Sequence, residues 1–289
     1  SNEMMYTKLA SGETYDVLVP SDYMIERLIK EEYLQALDWK KIPNSKNLLP
    51  EVQNKDYDPG NRYSCPYFWG TVGILYNKNV VSQEDLDKEG WNILCDEKYK
   101  GDLYMYDSER DSFMIAMKAL GYSINTTDKN ELKTALDDLK MQKSIVQSYL
   151  VDEIRDDMAN NQAAMGLIYS GEASIAQDYN ENLEYVVPKE GSNIWMDSWV
   201  MPKSGKNYDG AIKFLDFLCR EDVAMTNFEY IYYSTPNEAV LNQIDDEEKA
   251  ERNAIFPSDD VIKRCKIFSY LGKDAEEYYN NLWKELKVY

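Results

Sequence analysis

Histidine is missing altogether from this 289-residue chain. Its absence removes the usual imidazole base and the commonest neutral metal ligand. Cysteine is scarce, and Cys65, Cys95, Cys219 and Cys265 are scattered with no Cys-x-x-Cys or other metal spacing. That pattern supports neither a zinc site nor a redox motif, and the expectation is free, mostly buried thiols acting as small hydrophobes rather than a disulfide. Positive charge is outnumbered, 32 Lys and Arg against 52 Asp and Glu, for a net charge of -20. Such an acidic chain is a poor partner for nucleic acid or an anionic membrane. No apolar run reaches membrane length and no signal peptide is present, but the sequence starts abruptly, which leaves its native address open. Nucleophile elbows, phosphate loops, dinucleotide fingerprints and metalloprotease motifs are also absent, and no cofactor or metal is expected. There is no internal repeat and no low-complexity linker.

What is present is a chain that is 44% hydrophobic, enough for one large or two modest domains with real cores. It is rich in Tyr, with 24 of them, a side chain suited to wet binding clefts because an apolar body carries a hydrogen-bonding tip. Asp16–Pro20 reads as a buried strand, with Ser21-Asp22 as a helix N-cap and Ile25, Leu28, Ile29 and Leu34 on the apolar side of the helix that follows. Strand, polar turn, helix is the grammar of an α/β sheet, and ligands of such sheets bind beyond the carboxyl ends of strands. That places Ser21 and Tyr23 where a ligand could sit; a cap and a core tyrosine are the plainer reading. Leu37–Asn61 has no regular period. Further strands are expected at Val72–Asn77, Leu103–Tyr106 and Ala164–Tyr169. Helices are expected at Phe113–Leu120, Glu131–Met141, Val151–Asn161, Tyr208–Leu218, Arg220–Tyr230, Glu238–Ile244 and Asp274–Leu286. The turn after Tyr106 carries Asp111 beside Arg110, and Arg110 is expected to point away to a structural salt bridge.

The most telling stretch is Asn193–Trp199. Residues i and i+2 of a strand share a face, so Trp195 and Asp197 project together. A half-buried carboxylate is costly unless something pairs with it, and an aromatic face beside it attracts a positive charge. The pair marks a candidate site for an organic cation. The alternative is that Asp197 caps a turn or pairs with Lys or Arg while Trp195 fills the core. Acids with aromatics also line carbohydrate sites, so a sugar-binding or sugar-cleaving protein is the competing class.

Several of these turns, in this order, resemble the spermidine/putrescine-binding proteins of polyamine ABC importers. They are Tyr15–Tyr23, Pro66-Tyr67-Phe68-Trp69-Gly70, Tyr99–Leu103, Leu120–Thr126, Pro188-Lys189-Glu190-Gly191, Trp195-Met196-Asp197-Ser198 and Ser234-Thr235-Pro236-Asn237. The resemblance implies an α/β, two-lobed periplasmic-binding-protein-like fold of type II. Each lobe would be a mixed, five-stranded-type sheet flanked by helices, with the ligand cleft between the lobes. The first lobe would comprise residues 1–75 and 198–238, the second residues 76–197 and 239–289. It further implies a binding protein rather than an enzyme, with a polyamine as ligand and ABC permease membrane subunits as partners. A sensor whose closed form docks a receptor domain is the other use of the same fold. Residue by residue, Ser21 and Tyr23 match contacts from the first lobe, Asp111 and Asp197 match acids that hold amino groups, and Trp195 and Tyr233 match aromatic walls. Tyr169 stands where better-known members have Trp, Ser108 where Asp is often found, and Cys265 where Gln is found.

The family also opens with a strand and helix before the equivalent of Glu3-Met4-Met5-Tyr6, with a Trp-containing turn that touches the ligand. Here that segment is absent, and Ser1-Asn2 reads as native or as an expression scar. The expectation is a chain lacking its native start, with a first lobe short of one strand, weaker polyamine binding and a tendency to associate. The resemblance places the protein outside the cytoplasm, anchored or fused to a membrane protein, with the anchor or signal outside this sequence.

Overall fold

The computed structural model describes every residue from Ser1 to Tyr289. The chain forms two compact units, one of Ser1–Trp69 with Trp195–Glu251, the other of Gly70–Ile194 with Arg252–Tyr289. The sequence put the crossings near Tyr76, Ser198 and Asn237, whereas the units change after Trp69, Ile194 and Glu251. The second change matters most, because it assigns Trp195 and Asp197 to the first unit. The backbone explains it: the Met196 N–H donates to Asp22 at 3.0 Å and the Ser198 N–H to the Pro20 carbonyl at 3.1 Å.

Seven strands are formed: β1 (Leu34–Gln35), β2 (Ser64–Asn77), β3 (Leu103–Tyr106), β4 (Ser148–Leu150), β5 (Met165–Tyr169), β6 (Leu183–Val186) and β7 (Ile194–Pro202). In the second unit the latter half of β2 pairs antiparallel with both β5 and β6, while β3 runs parallel to β5 and to β4. This is a mixed five-stranded sheet in the order β6-β2-β5-β3-β4. Its parallel pairs need crossovers, and helices Glu109–Ala119, Lys129–Lys143 and Glu153–Ala159 supply them. Helix Lys129–Lys143 starts on the Asp128 carboxylate, which accepts from the Asn130 and Glu131 N–H groups, and buries Leu132, Ala135, Leu136 and Leu139. That spacing is one face of a 3.6-residue helix, and it packs with Phe113, Met117, Tyr279, Leu282 and Leu286.

The first unit is less regular. Helix Asp22–Lys30 buries Met24, Ile25 and Leu28, β1 pairs antiparallel with β7, and Ile42, Leu48, Met201, Ile212 and Leu215 share one apolar core. Asp16–Pro20 is not a continuous strand: it makes only the bridge Leu18↔Val200, followed by Ser21↔Asp197. Pro20 has no N–H to give, and the Asp16 carboxylate turns aside to accept from the Lys206 and Asn207 N–H groups at 2.7 and 2.9 Å. No five-stranded sheet forms in this unit, in contrast to the expectation. The aperiodic stretch 37–61 becomes three short 3-10 turns, Trp39–Lys41, Pro43–Asn47 and Pro50–Val52. Helices Gln83–Glu89 and Ser170–Tyr179, which the sequence left unassigned, also form. All four cysteines are free; the Cys65 and Cys219 sulfurs lie 3.7 Å apart as thiols inside the first unit's core. No helix is long and apolar enough to cross a membrane.

Gly191 offers a test of the second unit's packing. Its φ is +77°, and a Cβ there would lie 1.9 Å from the Arg264 carbonyl oxygen. Gly191→Ala is therefore expected to cost about 3 kcal/mol or more, from a left-handed backbone and a clash with main chain that cannot swing away. Urea unfolding checks this, and an unchanged midpoint would mean the turn relaxes freely.

Candidate functional site

In the first unit the site is built where β7 meets the start of helix Asp22–Lys30. Exposure alternates along β7 from Trp195 to Trp199, so Trp195, Asp197 and Trp199 share the less covered face. Trp195 meets Tyr233 edge to face, with centroids 5.0 Å apart and planes at 76°. Ser21 is the N-cap residue by backbone, yet its hydroxyl makes no cap bond and donates instead to Asp197 Oδ1 at 2.6 Å. The helix N-terminus is served by Asp22, whose buried carboxylate accepts from the Tyr23 N–H at 2.7 Å and the Met196 N–H at 3.0 Å. Asp22 thus fastens the Ser21 turn to the strand that carries Asp197. Sequence reasoning read it only as part of a cap; an acid at the first helical position was the available signal.

Asp197 has no Lys or Arg in ion-pair contact, so the alternative in which it pairs with one is not what the structure shows. Burial pushes its carboxyl up to about 6, with the Ser21 hydroxyl pulling only partly the other way. Burial also raises the phenol of Tyr57, which feels the Asp197 charge. Tyr23 is engaged by the chain's first helix: its hydroxyl donates to Glu3 at 2.7 Å and accepts from the Asn2 amide at 3.2 Å. The same Asn2 amide reaches the Ser21 hydroxyl at 3.1 Å. The Ser234–Asn237 signature is an anchor: Ser234 bridges Trp69, while Asn237 caps helix Glu238–Leu241 and donates to the Cys219 carbonyl at 3.1 Å.

The second unit brings Ser108, Asp111 and Tyr169 together. Ser108 caps helix Glu109–Ala119, and Tyr169 ends β5, beside β3 in the sheet. Both hydroxyls donate to the same oxygen, Asp111 Oδ2, each at 2.7 Å. Asp111 is 3% exposed. Burial raises its carboxyl above the usual range, opposed by those hydroxyls, by the Arg110 charge and by the Asn193 amide. Tyr106 meets Tyr169 edge to face at 4.8 Å, extending the aromatic surface. Arg110 turns away as expected, but not to a carboxylate. Its guanidinium bonds Asn125 at 3.1 Å and the Ser269 carbonyl at 3.4 Å, and lies over the Phe268 ring at 4.4 Å. Aromatic faces and carbonyls replace the predicted salt bridge. Cys265 is buried in the apolar cluster of Ala173, Leu183 and Tyr185, its thiol raised by burial, and no hydrogen bond ties it to Asp111. No grouping of acidic and thiol side chains in the structure could hold a metal ion.

Each unit therefore carries a carboxylate held by a hydroxyl near aromatic rings, half-buried Asp197 in the first and buried Asp111 in the second, with neither in ion-pair contact with a Lys or Arg. Residues 12–264 match the model of the bacterial extracellular solute-binding proteins. The spermidine/putrescine-binding periplasmic protein of Salmonella typhimurium is 36% identical over 290 residues, covering 100% of this chain and 82% of that protein. The putrescine-binding periplasmic protein of Escherichia coli K12 is 28% identical over 307 residues, covering 99% of this chain and 82% of that protein. Among solved structures, the spermidine/putrescine ABC transporter substrate-binding protein of Streptococcus pneumoniae aligns with a TM-score of 0.86 at 37% identity, over 100% of this chain and 88% of that one. With the match spanning most of the chain, this protein belongs to the bacterial extracellular solute-binding protein family.

Proposed function

We propose that this chain captures polyamines outside the cytoplasm and hands them to the membrane permease of an ABC importer. The observation that carries the reading is the pair of carboxylates, half-buried Asp197 and buried Asp111, each near aromatic rings and neither matched by a Lys or Arg in ion-pair contact. A buried charge wants a partner, and an ammonium group supplies it. A polyamine is a string of such groups spaced by methylenes. Aromatic walls add about 0.8 kcal/mol per buried methylene and about 0.5–2 kcal/mol per cation–π contact. Ser21, Tyr23, Trp195, Asp197 and Tyr233 are the contacts assigned to the first unit, and Ser108, Asp111 and Tyr169 those of the second. Cys265 drops to an indirect role behind them. The names of the relatives, which bind spermidine or putrescine, support the same ligand class. As a member of a solute-binding family the protein is a carrier of its ligand and not an enzyme. Its family is extracellular, and the reading extends to a protein held at the outer face of the membrane.

Selectivity should follow charge. Putrescine, spermidine or spermine at a hundred times Kd should stabilise the fold by about 2.7 kcal/mol through mass action, and maltose should not. Thermal unfolding with each ligand checks this; melting raised by the sugar and unmoved by the amines would return the carbohydrate reading.

A further inference from the structure

The first turn of helix Asn2–Ala10 reaches the Ser21–Tyr23 turn of the first unit through Asn2 and Glu3. The Asn2 side chain makes three bonds there. Its Oδ1 accepts from the Ser21 N–H at 3.2 Å, and its Nδ2 donates to the Ser21 hydroxyl at 3.1 Å and to the Tyr23 hydroxyl at 3.2 Å. A main-chain N–H can only donate, so the amide oxygen is fixed at that end and the NH2 faces the hydroxyls. Each hydroxyl has a single proton of its own. With an amide proton arriving at its oxygen, the Ser21 hydroxyl directs that proton onto Asp197 Oδ1 at 2.6 Å, and the Tyr23 hydroxyl directs its proton onto Glu3 at 2.7 Å. Asn2, Ser21 and Asp197 thus form a hydrogen-bond chain of one direction, from amide to hydroxyl to carboxylate.

We propose that Asn2 is a positioning residue for the polyamine site: by donating to the Ser21 hydroxyl it holds that hydroxyl as a donor to Asp197 Oδ1, which favours the charged carboxylate and leaves Oδ2 for the ligand's ammonium group. The inference rests on the polyamine reading and adds a residue that acts on the carboxylate only through Ser21. Linked hydrogen bonds polarise one another, so a hydroxyl that accepts from an amide is the stronger donor. Without Asn2 nothing fixes which way the Ser21 proton turns. Asp197 then loses part of the bond that favours its ionised form, and it takes up a proton at higher pH. Glu3, Asp22, Tyr23 and Tyr57 are the other ionisable groups around this turn, and Asp111 titrates in the second unit; the test leaves all of them in place.

The test is calorimetry of 1,4-diaminobutane between pH 4.5 and 8 on four proteins: the wild type, Asn2→Ala, Ser21→Ala and the double variant. Thermal melts establish that each is folded, and Asn2→Leu, close to Asn in size but without donors, replaces Asn2→Ala if that variant is not. Ser21→Ala removes the donor outright and should raise the pH midpoint of binding by roughly one pH unit, the effect of one hydrogen bond to a charged group. Asn2→Ala should raise it by roughly half a pH unit, which makes binding about threefold weaker at pH 5 and leaves it unchanged at pH 8. In the double variant the Asn2 substitution should add nothing, because no hydroxyl is left to orient. A helix that only supported the fold would weaken binding equally at every pH. An unmoved midpoint in Asn2→Ala, or the same shift added on top of Ser21→Ala, overturns the assignment. Absence of diamine binding by the wild type at any pH would instead overturn the polyamine reading, and the inference with it.

Discussion

Asp197→Asn is expected to weaken polyamine binding by about thirty- to several-thousand-fold, equivalent to roughly 2–5 kcal/mol. Asn keeps the shape and can still accept from the Ser21 hydroxyl, which sits 2.6 Å from Asp197 Oδ1, so the turn should hold. What goes is the charge, in a place where burial already strains it, beside the Trp195 and Tyr233 rings. An ammonium brought there would then be desolvated with no counter-charge, which is the costly half of breaking a buried ion pair. Calorimetry with putrescine and spermidine measures the loss. Less than a threefold change would remove Asp197 from the site.

The second large effect is on pH. The Asp197 carboxyl is pushed up to about 6 from an ordinary 3.8. Without ligand, the folded protein holds that proton more readily than the unfolded chain. Its contribution to stability is therefore full below about 4 and is lost as pH rises through about 6, on the order of 3 kcal/mol for two pH units. Ligand binding runs the other way. An ammonium needs the ionised form, so affinity should be full above about 6 and fall about tenfold per pH unit below it. Tyr57, which feels the Asp197 charge, stays protonated throughout because burial raises it too. Asp111, also raised by burial, adds a slope of its own, so the comparison of interest is wild type against Asp197→Asn. Affinities at pH 5 and 7.5 should differ by an order of magnitude more in the wild type than in the variant. Equal slopes would assign the pH dependence to Asp111 alone.

By itself the sequence determined the elements whose periodicity is local. Helix Tyr208–Leu218 forms where it was expected, and Lys129–Lys143 and Lys273–Val288 enclose the predicted spans, because an apolar stripe at 3.6-residue spacing can be read from neighbours alone. The latter half of β2 and β5 were legible as apolar runs, and alternation along β7 put Trp195 and Asp197 on one face before any fold was known. The order of the turns was enough to point to the family. Tertiary structure decided the rest. Whether Ser21 caps its helix or holds Asp197 depends on a residue 176 positions away, and the Tyr169 hydroxyl reaches Asp111 across 58. The chain crosses from the second unit to the first after Ile194. The same crossing moved Trp195 and Asp197 to the first unit, and Pro20 together with the diverted Asp16 broke up a strand that its apolar residues had promised. Local propensity sets where a segment can fold regularly. Which polar groups meet is set by where the chain crosses, because a buried donor or acceptor takes the partner that packing brings and not the one nearest in sequence.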